Sequence, residues 1–128
     1  MSDLRQDVQY ATSHEWVRRH DDDVVWVGIS DHAQAQLGDI VFVELPEVGR
    51  ELSQSEECAV VESVKAASDI YSPVNGTVVA VNEALEDQPE QINESPYDDG
   101  WLFQVRLSSE PEQLLSADEY HAHISDDE

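Results

Sequence analysis

Lys65 is the only lysine in 128 residues, and its surroundings suit a group that other molecules must reach. The apolar run Ala59-Val60-Val61 leads through Glu62-Ser63-Val64 to the lysine, and the small residues Ala66, Ala67 and Ser68 follow it. A second extended pair, Ile70-Tyr71, stops at the turn-rich Ser72-Pro73-Val74-Asn75-Gly76. Strand, short connection, strand predicts a hairpin, with Lys65 at or beside its tip. A deprotonated lysine amine is a nucleophile and can be acylated to a neutral amide. Small neighbours leave its stem uncovered. The plain alternative is a solvated lysine in a surface turn.

Other reactive side chains make weaker patterns. Cys58 is the only cysteine, lies beside the apolar run and has no Cys/His or Ser/His/Asp context. It allows no internal disulfide, which fits a reducing compartment. Asp21-Asp22-Asp23 lacks the ligand series of a calcium loop and reads as an acidic hairpin tip. His14 and His32 stand singly near strand or helix starts, where histidines are usually structural. His121 and His123 are two apart in a predicted helix and share no face.

The elements that must position Lys65 are mostly strands. Val24-Val25-Trp26-Val27-Gly28-Ile29 is β-branched and aromatic. Ile40 to Leu45, Gly76 to Asn82 and Trp101 to Leu107 read the same way, and extended pieces are expected at Val8–Tyr10 and before Arg19. Ser30 or Asp31 can cap a short helix, Asp31 and Gln34 have capping-box spacing, and Gly38 follows where a C-terminal glycine belongs. Pro89 and Pro96 break the polar stretch 83–99, leaving room for a short helix near Asp87–Ile92. Ser116 and Glu119 form a second capping box, before a helix expected to end near Ile124. Short strands with turns between them argue an all-β sandwich or barrel in a single domain over 1–128, with its core at about 8–124 and a flexible acidic tail at 125–128.

Composition narrows the partners. There are 29 acidic residues against 6 basic ones, a formal net charge of −23. Phosphate-rich nucleic acid and anionic membrane surfaces would be repelled, whereas basic patches on proteins would be attracted. Self-repulsion of this size predicts a fold that gains stability as salt screens it. No apolar run has membrane-spanning length and the N-terminus has no apolar signal core, so a cytoplasmic location is expected.

Several blocks together resemble the glycine cleavage system H protein family. They are Ser13-His14-Glu15-Trp16-Val17, Gly28-Ile29-Ser30-Asp31-His32-Ala33-Gln34, Leu37-Gly38-Asp39-Ile40-Val41-Phe42-Val43-Glu44-Leu45-Pro46, Glu62-Ser63-Val64-Lys65-Ala66, Ser72-Pro73-Val74-Asn75-Gly76 and Asn93-Glu94-Ser95-Pro96-Tyr97-Asp98-Asp99-Gly100-Trp101. They occur in the family's order and cover most of residues 8–124. The resemblance implies a lipoyl-domain-like sandwich (a hybrid barrel) of two antiparallel sheets, with a few short helices including one at the C-terminus. It implies a non-catalytic carrier whose Lys65 bears lipoic acid in amide linkage. The arm would take the aminomethyl group of glycine from a pyridoxal-phosphate decarboxylase to a tetrahydrofolate-dependent aminomethyltransferase. Dihydrolipoamide dehydrogenase, a flavin (FAD) enzyme, would then reoxidise it.

By position, Ser13, Glu15 and Asp69 match residues of a cleft that shelters the loaded arm. Glu62, three residues before Lys65, reads equally as a residue by which a lipoylating enzyme recognises the hairpin or as an exposed strand acid. One departure is Gln36, which stands where family members have a cleft histidine; glutamine keeps hydrogen bonding but cannot titrate near neutrality. Rival swinging-arm modules fit less well. Biotin carriers flank the lysine with methionines, and Met1 is the only one here. Lipoyl domains of 2-oxo acid dehydrogenases usually have Asp before the lysine, where this chain has Val64. A relay that passes lipoyl groups to other enzymes stays open at this level.

Overall fold

The structure is a computed structural model, and it describes residues 8–19, 23–109 and 114–127, with side chains as far as His123. The expected polar leader and most of the acidic turn at Asp21-Asp22 lie outside the described residues.

Among the described residues, nine strands form two antiparallel sheets. The strands are β1 (Gln9–Tyr10), β2 (Glu15–Arg19), β3 (Val24–Ile29), β4 (Ile40–Glu44), β5 (Glu51–Leu52), β6 (Glu57–Ser63), β7 (Ala67–Tyr71), β8 (Gly76–Val81) and β9 (Phe103–Leu107). Six make one sheet in the order β1-β2-β3-β9-β8-β5, and the other three make a sheet in the order β4-β6-β7. Inward side chains alternate along the strands, as the two-residue period requires. Val25, Val27, Phe103, Val105 and Val78 of the larger sheet meet Val43, Val61 and Ile70 of the smaller one in a single apolar core. The two-sheet sandwich expected from the sequence is therefore the observed fold.

The described residues also hold four helices: α1 (Asp31–Leu37), α2 (Ala84–Asp87), α3 (Gln91–Glu94) and α4 (Ala117–Asp127). Ser30 caps α1, its Oγ accepting the Ala33 N–H at 3.1 Å. Asp31 instead accepts from the Gln34 side chain at 2.7 Å. Ser116 and Glu119 make the reciprocal box at the start of α4, with bonds of 2.9 and 3.2 Å. Two expectations are corrected. Residues 84–94 form two single-turn helices instead of one, because Pro89 supplies no N–H to continue the first. The last helix continues past Ile124 to Asp127.

A second, aromatic cluster fastens α4 to β1 and β2. Tyr10 and Tyr120 stack at 4.3 Å with rings nearly parallel, and Trp16, Tyr97, Val8 and Ala117 close around them. The Tyr120 hydroxyl lies 2.7 Å from both Ser30 Oγ and His14 Nδ1. Trp16 lies so close over Gly28 that a Cβ there would sit 2.6 Å from its indole. Strand β2 is thereby held by its neighbours, and β2 is the strand that begins with Glu15.

Candidate functional site: an exposed lysine hairpin and a buried carboxylate

Strands β6 and β7 pair from Glu57↔Tyr71 to Glu62↔Ala67, and the link between them carries Lys65. The turn is closed locally. Ser63 N–H donates to Ala66 O at 2.7 Å, and Ser63 Oγ accepts from the Ala66 N–H at 3.1 Å. The tip is also moored to a distant loop, since the Val64 N–H donates to Asp39 O at 3.0 Å. Lys65 and its neighbours Val64, Ala66 and Ala67 are all exposed. The hairpin reading of the sequence holds, with Lys65 at the tip.

The Lys65 stem lies over Gly38, which no pairing rule would have linked to it. A Cβ on Gly38 would sit 3.3 Å from Lys65 Cε. Gly38 ends α1 with φ 86° and ψ −157°, a conformation that only glycine adopts without strain. The sequence marked Gly38 as a helix stop; the fold also makes it the bare floor beneath the lysine. Gln36 is exposed on α1, two residues before that floor.

Glu15 is the opposite kind of residue, a fully buried carboxylate. Ser13 Oγ donates a short hydrogen bond to its Oε1. The Tyr71 N–H, on the β7 edge that faces away from β6, donates to its Oε2 at 3.1 Å. Burial pushes the Glu15 carboxyl up to about 7, against the opposing pull of the bonds from Ser13 and Tyr71. Ser13 and Glu15 are thus brought together, and Glu15 is tied to the lysine hairpin through Tyr71.

Asp69 stands two residues before Tyr71 and opposite Val60, exposed on the outer face of the three-stranded sheet. It is near the Tyr71 contact along the strand, whereas Ser13, also exposed, is hydrogen-bonded to the buried Glu15. Glu62 faces the same side, between Phe42 of β4 and Ala67 of β7. The histidines form a group that spacing did not reveal. The His14 ring lies 5.4 Å from that of His32 and 6.0 Å from that of His123. Among the described residues no cluster has the makings of a metal site. Cys58 is buried, and burial pushes its thiol up to about 12, which leaves it almost wholly protonated at neutral pH.

A two-sheet sandwich that presents a lysine on a hairpin tip, over a glycine floor, defines a carrier domain of the lipoyl-domain-like kind. Comparison with known proteins makes the assignment specific. The glycine cleavage H-protein family model matches residues 8–127. The chain is 59% identical to the glycine cleavage system H protein of Saccharophagus degradans over the full length of both. It is 57% identical to that of Shewanella loihica, over 99% of this chain and all of the other. The crystal structure of a glycine cleavage system H protein from Mycobacterium marinum superposes with a TM-score of 0.90 at 40% identity, over 95% of this chain and 99% of that one. The chain belongs to the glycine cleavage H-protein family, whose members are carrier subunits of that system and not catalysts in themselves.

Proposed function

We propose that Lys65 is the lipoyl attachment site and that this chain carries the aminomethyl group of glycine between the enzymes of the system. The observation that carries the reading is the exposed, locally closed hairpin tip that presents the only lysine of the chain. The residues present fit the group. Gly38 has no side chain to obstruct the stem, and the neighbours of Lys65 in the turn are small or exposed. Attachment is an acyl transfer. The Lys65 amine attacks the carbonyl of an activated lipoate, a mixed anhydride with a nucleotide phosphate; the amide forms, the nucleotide leaves and the amine gives up a proton. Once bound, the dithiolane supplies the thiol-disulfide and group-transfer chemistry, and the protein supplies its position.

The chain's own residues then shelter the cargo. The aminomethyl group carries a primary amine, cationic at neutral pH. Glu15, poised near neutrality, becomes a carboxylate when such a cation approaches, because a nearby positive charge favours its ionised form. Ser13 and the Tyr71 N–H hold the two oxygens in place for that contact. Asp69, exposed nearby on β7, adds a second negative charge along the approach. Water excluded around Glu15 slows loss of the amine. Glu62, on the outer face just before the tip, is read by the lipoylating enzyme. The partners in this reading are the pyridoxal-phosphate decarboxylase, the tetrahydrofolate-dependent aminomethyltransferase, the FAD-containing dihydrolipoamide dehydrogenase and the lipoylating enzyme. A protein with no membrane-crossing helix among its described residues fits work alongside such enzymes in the cytoplasm.

The test is intact mass with peptide mapping after incubation with a lipoylating enzyme, lipoate and ATP. One lipoyl increment on Lys65, followed by glycine-dependent exchange of carbon dioxide with the decarboxylase, is the expected result. An unmodified Lys65 in a folded protein, with a control domain modified in parallel, would sink the reading.

A further inference from the structure

The outer face beside Lys65 is more apolar than the rest of this acidic molecule. Val41, Phe42 and Val64 are exposed to 53%, 50% and 69%, and the only other large apolar side chain so exposed among the described residues is Val48, at 61%. A β-bulge explains how the first two come together. Ile40 pairs with Ser63 and Phe42 pairs with Glu62, so three residues of β4 face two of β6 and Val41 is the extra one. A bulge of this kind turns successive side chains to the same side of the sheet. The burial pattern of β4 agrees: Ile40 and Val43 point inward, with Val41 and Phe42 outward between them. Phe42 lies across from Glu62, and the bond from Val64 to Asp39 O brings the tip down beside the start of the same strand. An isolated exposed valine is ordinary; an exposed phenylalanine and valine side by side, next to the tip valine, form a patch.

The charges flanking the patch are acidic. Asp39, Glu44, Glu62 and Asp69 lie on the loop before β4, on β4, on β6 and on β7, and Lys65 is the one basic residue in the segments 39–44 and 57–71. Arg50 lies at the far end of β6, donating to Glu57 O at 2.8 Å. An apolar centre with an acidic rim fits a partner with an apolar pocket ringed by Arg and Lys.

We propose that Val41, Phe42 and Val64 form the docking face for the enzyme that acylates Lys65. The proposal rests on the carrier reading above and extends it to a recognition surface. Reach selects this occupant. An unmodified lysine extends only roughly 6 Å from its Cα, summing bonds of ordinary length. An enzyme that must bring the amine to an activated acyl group therefore presses against the shoulders of the hairpin. Acylation more than doubles the reach, so an enzyme that acts on the finished arm can work at a distance from β4.

The experiment measures initial rates of lipoylation against carrier concentration, with a purified lipoylating enzyme, lipoate and ATP. It compares the wild type with Val41→Ser/Phe42→Ser, with Val64→Ser and with Val48→Ser. All the changed side chains are exposed, and Val64→Ser lies in the turn outside both sheets, so it repeats the test if the double variant folds poorly. The double variant should raise KM roughly tenfold or more at nearly unchanged kcat, as losing two central apolar contacts implies. Val64→Ser should raise KM several-fold, Val48→Ser should leave it unchanged, and added salt should raise the wild-type KM by screening the rim. If the wild type is modified on Lys65 and both the double variant and Val64→Ser keep its KM, the docking proposal falls and the carrier reading stands. If the wild type takes no lipoyl group, the carrier reading falls first and takes the docking face with it. If lipoylation is normal but the fully lipoylated double variant loses exchange with the decarboxylase, a later enzyme uses this face and the proposal is overturned.

Discussion

The Lys65 tip and the Glu15 site are the two polar centres of one molecule, built on opposite principles. The tip is wet, closed by bonds within the turn and surrounded by small side chains. Glu15 is dry, and it is satisfied by a serine two residues away and by a backbone N–H 56 residues further along. Exposure leaves the lysine amine open to an enzyme. Burial tunes the carboxylate, because desolvation disfavours its charged form. The structure links them through β7, which starts just past the tip and ends at the N–H that Glu15 accepts. In the proposed function the first offers the arm and the second shelters what the arm brings.

Substitutions should affect the two centres differently. Lys65→Arg should have the largest effect, complete loss of the lipoyl mass increment with thermal stability unchanged, because a guanidinium stays protonated and cannot be acylated this way. A partial increment on the arginine variant would place attachment elsewhere.

Glu15→Gln should act on stability instead, with a pH dependence. The Glu15 pKa is raised from 4.5 to about 7 in the folded state, so the native protein holds this proton more tightly than the unfolded chain does. Stability from this group is full below about pH 4.5 and is lost as the pH rises through about 7. The shift corresponds to roughly 3 kcal/mol between those limits. Urea unfolding should therefore show Glu15→Gln gaining on the wild type between pH 5 and pH 8. A constant difference across that range would contradict the dry site.

Gly38→Ala tests the floor beneath the lysine. Forcing a side chain into that backbone conformation should cost about 1–3 kcal/mol, and it should displace the Lys65 stem, visible as an altered chemical shift for the Lys65 side chain. Tyr120→Phe should be mildest, costing about 1 kcal/mol by removing the hydroxyl shared with His14 and Ser30 while the stack on Tyr10 stays. Melting temperature orders these last two, and a larger loss from Tyr120→Phe would mean that the aromatic cluster holds β2 more firmly than the core does.

The legible parts of the sequence were those encoded by neighbours. The strand-turn-strand pattern around Lys65, the Ser30 cap with its Gly38 stop and the Ser116–Glu119 box all act over a few residues, and the fold uses each as read. The blocks around them carried the family. The single helix expected near Asp87–Ile92 failed at Pro89, although the proline was visible, because two isolated turns give almost no periodic signal. Position places Asp69 with Ser13 and Glu15; in the fold the strand period puts Asp69 on the outer face of the three-stranded sheet, while Glu15 is buried.

The sequence by itself determined the sandwich of strands, the hairpin and the lysine at its tip, since two-residue alternation and turn chemistry are local properties. Tertiary structure alone decided that Glu15 is dry, that Gly38 lies beneath Lys65, that His14, His32 and His123 meet, and that Val41 joins Phe42 on the outer face. Each of those depends on chain segments far apart in sequence, and a contact between such segments exists only after the two sheets have closed on their common core.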